Sequence, residues 1–160
     1  MHAVRVTSRA ASNLDTVAAP IGPYTPVVRA GDWIIVSGQL GLRDGSLVAG
    51  GVKGQTAQAI ANLRSQLESV GAKLSDVAKT LCFLTDMDTF STFNEAYVEG
   101  FGNHRPARST IGVASLPANG AVEIEAWAYV PLASAKPSAA KKPVGSPKPN
   151  AAKKPKRSKK

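Results

Sequence analysis

Residues 134–160 hold ten of the 20 lysines and arginines of this 160-residue chain and none of its 11 aspartates and glutamates. Most of the remainder is Pro, Ala and Ser, and AAKKP occurs twice, at 139–143 and 151–155. A segment so poor in apolar side chains cannot offset its chain entropy by burial, so disorder is expected there. A packed core must come from residues 1–133, and that length suits one domain. There ten cations face 11 acids, a net charge of −1, so the formal +9 and the pI near 9.9 belong to the tail. High overall basicity is therefore no sign that the folded part binds nucleic acid. The tail itself admits two readings: a salt-dependent contact with nucleic acid or another polyanion, or a solubilising appendage without a specific partner.

Several function classes are excluded early. Cys82 is the only cysteine, so an intrachain disulfide framework is impossible and a reducing, cytoplasmic setting is expected. No apolar run approaches a membrane span, and the first 15 residues lack the continuous apolar stretch of a secretory signal. The histidines are His2 and His104, with no HExxH and no Cys/His cluster, so no zinc site is expected. There is no phosphate-cradling glycine loop leading into a helix. A Ser-His-Asp triad would have to recruit His104 from a loop, and nothing supports that.

The pattern along residues 1–133 is mixed. Residues 3–9 alternate like a short strand, and 18–26 form a Pro/Gly-punctuated loop. Residues 27–37 predict a hairpin turning at Ala30-Gly31-Asp32, and 41–51 a glycine-rich connection with a turn at Asp44-Gly45. Ile60, Leu63, Leu67 and Val70 give the apolar stripe of a helix over 53–70, with Gln58, Asn62 and Gln66 off it and Gly71 as the stop. Val77 to Leu84 predicts a buried strand. Asp88 is the expected N-cap of a second helix carrying Phe90, Phe93, Tyr97 and Phe101. Loop 103–108 and strands at 109–114 and 121–130 follow, the strands parted by a turn at Pro117 to Gly120. The sum is an α+β domain, with two helices covering one face of a mixed sheet. The other face then needs cover, which an oligomer would supply.

Two features carry possible chemistry. Arg108 stands where a strand leaves a Pro-ordered loop, and a guanidinium can grip a carboxylate through two parallel hydrogen bonds. Glu123 and Glu125, two apart on a strand, point to one face, opposite Val122, Ile124, Ala126 and Ala128. A carboxylate near a guanidinium can hold and polarise water. Each feature also reads as ordinary surface: a solvated arginine, and a strand with one wet face. Ser37-Gly38 reads as a strand end, Tyr24 and the aromatic stripe as packing, and Cys82 as a small buried side chain rather than a nucleophile.

Taken together, APIGPY (19–24), IIVSGQ (34–39), the helix 55–72, TFNEAY (92–97), RPARST (105–110) and VEIEAWA (122–128) resemble the Rid/YjgF family over residues 15–132. No single run is specific. The combination of IGPY and SGQ with PAR, followed about 15 residues later by EIEA, is specific. The resemblance implies a chorismate-mutase-like fold and a homotrimer with three sites at subunit interfaces. It implies hydrolysis of reactive enamine or imine carboxylates, such as 2-aminoacrylate, to 2-keto acids and ammonia, with no metal or organic cofactor. By motif position, Arg108 resembles the arginine that binds the substrate carboxylate, and Glu123 the residue that positions and activates water. Tyr24 resembles the pocket tyrosine, Ser37 and Gly38 the pair lining the cavity, and Asn94 the supporting asparagine. Thr110 stands where many members have cysteine, so a thiol role is impossible and a backbone contact with substrate is what remains. Arg105 replaces an apolar or aromatic residue; the extra cation either widens preference toward acidic substrates or faces solvent, and solvent is the expectation. Other readings are a non-catalytic, chaperone-like ligand-binding trimer, or a nucleic-acid-associated protein or ribonuclease acting through the tail.

Overall fold

The computed structural model describes residues 20–132. The expected strand at 3–9 and the tail 134–160 lie outside the described residues.

Val27–Ala30 (β1) and Trp33–Leu40 (β2) form the expected hairpin, turning at Gly31, which has a φ of 63°. Within the glycine-rich connection sits a second, minimal hairpin, Leu42–Arg43 (β3) with Ser46–Leu47 (β4). Its turn is Asp44-Gly45, both at positive φ, as tight two-residue hairpins require. Helix α1 covers Gly51–Ser69, and Val77–Leu84 is β5. Helix α2 covers Phe90–Phe101, followed by β6 at Ala107–Gly112 and β7 at Val122–Tyr129.

Five strands make one mixed sheet in the order β1-β2-β7-β5-β6. Only β5 and β6 run parallel, joined by α2 as the crossover helix. β7, last in sequence, inserts antiparallel between β2 and β5. Both helices pack over one face. Ile34 and Val36 of β2, Cys82 and Leu84 of β5 and Ile124, Ala126 and Ala128 of β7 meet Ile60, Leu63, Leu67 and Phe93 there. The alternation in β7 that isolates two glutamates thus also builds the centre of the core.

Some expectations shift. The capping aspartate is Asp86, whose side chain accepts a hydrogen bond from the Asp88 backbone N–H at 2.9 Å. A single 3₁₀ turn, Met87–Thr89, then leads into α2. Gln66, placed off the stripe by periodicity, is buried, as are Gln55 and Thr56. Here α1 lies against the β2–β3 corner as well as the sheet, so a polar flank is covered too. Asn62 uses that flank, donating from Nδ2 to the carbonyls of Leu40 (3.0 Å) and Leu42 (2.9 Å).

The opposite sheet face is open. Trp33 and Tyr129 meet edge to face on it with centroids 5.2 Å apart, and Ile35, Ile111 and both of these aromatics are exposed. This is the face for which the sequence predicts a need for cover.

Candidate functional site

The residues singled out above fall into two groups. The first gathers around an irregularity in β2. Val36 pairs with Ala126 and Gln39 with Ile124, so two residues of β2, Ser37 and Gly38, oppose the single residue Glu125 of β7. This is a β-bulge, which bends a strand and re-aims its side chains. Gln39 holds it, donating from Nε2 to the carbonyls of Ser37 (2.9 Å) and Gly38 (3.2 Å). Ser37 ties the preceding loop down: its hydroxyl donates to Thr25 O and its N–H to Pro26 O, both at 2.9 Å. That loop delivers Tyr24. Tyr24, Ser37, Gly38 and Glu123, with Ile21, Leu40 and Pro117, line a cleft of about 190 Å³.

Gly38 is required here by space. A Cβ on it would lie 1.6 Å from Oε1 of Glu123 and 2.5 Å from its Cδ. The missing side chain is what lets the carboxylate stand against the β2 backbone. Half-burial pushes the Glu123 carboxyl above its usual 4.5, and the neighbouring Glu125 carboxylate pushes it further the same way. A carboxylate so raised is a better proton acceptor than a free one.

The second group lies along β6 and α2. Arg108 pairs in register with Thr80 of β5 and Thr110 with Cys82, so their side chains share the helix-covered face. The Arg108 guanidinium donates from Nη2 to Oδ1 of Asn94 at 2.6 Å. Its Cζ lies 4.6 Å from the ring centre of Tyr97, 5.3 Å from Phe93 and 5.7 Å from Phe90. These partners are all uncharged, so the cation keeps its full attraction for an anion. β6 is an edge strand. Because Val113 N–H bonds inward to Leu84 O, alternation along a parallel strand turns the Arg108 and Thr110 N–H groups to the free edge. Two backbone donors thus stand beside the guanidinium. The Thr110 hydroxyl is buried without a partner among the described residues.

The two groups do not meet within one chain. Arg108 shares the helix face with Thr80, whereas Glu123 pairs with Phe83 on the open face. Tyr24, Ser37, Gly38 and Glu123 form one cluster, and Arg108, Asn94 and Thr110 another.

A family model described as Endoribonuclease L-PSP matches residues 15–130. The chain belongs to that family. Among its relatives in the family, the 2-iminobutanoate/2-iminopropanoate deaminase of Mus musculus is 43% identical over 117 residues, 71% of this chain and 87% of that one. A RutC family protein of Pyrococcus horikoshii is 41% identical over 112 residues, 69% of this chain and 89% of that one. Among solved structures, RidA of an Antarctic Psychrobacter superposes with a TM-score of 0.69 at 36% identity, covering 72% of this chain and 95% of that one. Escherichia coli TdcF with bound serine superposes at 0.67 and 33% identity, covering 71% of this chain and 92% of that one. The Rid/YjgF resemblance and the α+β fold read from sequence are borne out.

Other residues shape these clusters without having been assigned a role beyond packing. Gln39, Gln55, Thr80 and Tyr97 are buried polar or half-polar side chains with partners. Gln55 accepts the Ala121 N–H at 2.8 Å and so fixes the start of β7. A glutamine or threonine inside an otherwise apolar element was the available signal. Arg105 is exposed and donates to the backbone carbonyls of Gly102 and His104 just past α2. It sits at a helix end, where a cation is favoured. Cys82 is fully buried, and that burial pushes its thiol up to about 11, which suits a packing residue.

Proposed function

We propose that this protein hydrolyses enamine and imine carboxylates of the 2-aminoacrylate type to 2-keto acids and ammonia. The observation that carries the reading is that relatives near 40% identity are 2-iminobutanoate/2-iminopropanoate deaminases. The serine held by TdcF points the same way, because serine carries the same carboxylate-and-nitrogen end as these imines.

In this reading a homotrimer unites the two clusters. The exposed apolar sheet face is buried between subunits, and the Arg108 edge of one protomer closes the Glu123 cleft of the next. The substrate carboxylate sits on the Arg108 guanidinium, with the Thr110 N–H as a further donor. Glu123 takes a proton from water as the water oxygen bonds to the imine carbon, the C=N π pair goes to nitrogen, and Glu123 returns that proton to the nitrogen. The hydroxyl proton of the resulting aminoalcohol then passes by way of Glu123 to the nitrogen, the C–N bond breaks, ammonia departs and the carbonyl forms. The imine is already reactive, so positioning and proton transfer suffice. We place the reaction in a reducing cytoplasm, on the strength of the lone, buried Cys82.

The test is keto-acid release while a serine or threonine dehydratase generates the imine in place. Wild type accelerates release and Arg108→Ala does not, while its oligomer persists. No acceleration by wild type would leave a non-catalytic, ligand-binding trimer, detected by carboxylates that raise its thermal stability.

A second reading concerns the tail alone. Ten cations without a counter-acid in 134–160 suit nucleic acid or another polyanion, and three tails on one trimer would reinforce each other. Deleting 134–160 should abolish nucleic-acid binding and leave deaminase turnover unchanged. Residues 1–133, at a net −1, give no support to RNA cleavage by the domain itself.

A further inference from the structure

We propose that Tyr97, tethered by Thr80, is a positioning residue that fixes the orientation of the Arg108 guanidinium. The inference rests on the reading of Arg108 as the carboxylate anchor, and it adds residues to which no motif assigned a role.

Three contacts close a triangle. Thr80 and Arg108 are direct partners in the β5–β6 register. The Thr80 and Tyr97 hydroxyls share a buried hydrogen bond of 2.7 Å. The Tyr97 ring is the aromatic face nearest the guanidinium, at 4.6 Å from its Cζ. The ring is therefore tied to the residue beside Arg108 on the neighbouring strand and cannot slide along the helix face without breaking that bond. Phe93 and Phe101 hold it from both sides, with centroids 5.6 Å and 4.5 Å away. A ring needed only to fill the core would be served by phenylalanine. Here a hydroxyl is buried as well, which is costly unless it is paired. Burial pushes the Tyr97 hydroxyl up to about 12, so it remains a neutral phenol at any working pH.

The chemistry suits an anchor. A ring face attracts a cation without neutralising it, whereas an acidic partner would compete with the incoming carboxylate. Asn94 occupies one of five guanidinium donors and the ring sets the plane. The remaining N–H groups are then aimed before substrate arrives, which lowers the ordering cost of binding.

The experiment measures kcat and KM on the dehydratase-generated imine, together with the ring-current-shifted proton resonance of the Arg108 Nε–H. Tyr97→Leu should raise KM roughly tenfold with kcat within about twofold, the size expected for a lost buried cation–π contact. It should also return the Nε–H resonance to its ordinary position. Tyr97→Phe combined with Thr80→Val keeps the ring and leaves no hydroxyl unpaired. With the tether gone, KM should rise about two- to threefold and the resonance should broaden or move. An unchanged KM and resonance in Tyr97→Leu, or a loss confined to kcat, overturns the proposal. If Tyr97→Leu does not fold, the double variant decides by the same criteria. Full turnover in Arg108→Ala would instead overturn the anchor reading, while the resonance would still report whether Tyr97 holds the guanidinium.

Discussion

The two clusters reach their chemistry by opposite means. Along β6 and α2 the charge is that of a planar, delocalised guanidinium. The protein only has to aim it, and does so with an amide oxygen and three ring faces. Around the β2 bulge the charge is conditional. The Glu123 carboxyl is raised by burial and by Glu125, so its environment sets its strength as a base. Its position depends on an absence, the missing side chain of Gly38. A planar charge asks for orientation, and a titrating one asks for surroundings. Because the two clusters lie on opposite faces of one sheet, the proposed function requires association to bring them together.

The largest effect should come from separating and recombining them. Arg108→Ala and Glu123→Gln should each lower kcat/KM by at least about a hundredfold, typical of losing a substrate clamp or a general base. Trimers refolded from an equal mixture of the two variants should regain about a quarter of wild-type turnover, because in a ring of three one interface in four then joins an intact Arg108 to an intact Glu123. No recovery, with mixed trimers verified by native mass spectrometry, would mean that each site draws both residues from one chain.

How much of this was legible in the sequence follows the same division. Periodicity located both helices and the main strands, because each buries one regular face; Ile60, Leu63 and Leu67 are all core. It also separated Glu123 and Glu125 from the apolar side of β7, since a strand alternates. Motifs named seven site residues, and the structure sorts them into two clusters. Periodicity carried no information on which sheet face Arg108 would share, because that depends on the parallel β5–β6 register set across the α2 crossover. Gln66 was misplaced for a related reason: a helix packed against a strand corner is covered on more than its apolar stripe. Asp86 and Asp88 both lie before the aromatic run, and only the 3₁₀ turn Met87–Thr89 decides that Asp86 caps.

A smaller effect probes the bulge. Gly38→Ala would drive a methyl into the Glu123 carboxylate, which must swing away, and the bulge would strain with it. Overpacking of this kind costs about 1–3 kcal/mol, and loss of the carboxylate's position should lower kcat roughly tenfold or more with KM less affected. Thermal unfolding and steady-state kinetics check both. Adding Glu123→Ala should return most of the lost stability and none of the activity. If stability does not return, the strain lies in the β2 backbone rather than in contact with the carboxylate.

The smallest effect is electrostatic and tests whether the cleft tunes its base. The Glu123 and Glu125 carboxyls are both raised above 4.5 in the folded protein, Glu125 by burial alone. The folded chain therefore binds protons more readily than the unfolded chain between 4.5 and the raised values. Stability should increase as pH falls through that window, and the cost of the charged forms is fully present above it. Glu125→Gln removes one of those charges. At pH 7 it should stabilise the protein by no more than a few tenths of a kcal/mol, since a half-exposed carboxylate keeps much of its hydration. The same substitution lifts a repulsion from Glu123, so its carboxyl should titrate lower. The acidic limb of the kcat/KM profile should then move to lower pH while the plateau falls slightly, because a less basic carboxylate accepts a proton less well. An acidic limb that stays in place would assign the raised value of Glu123 to burial alone.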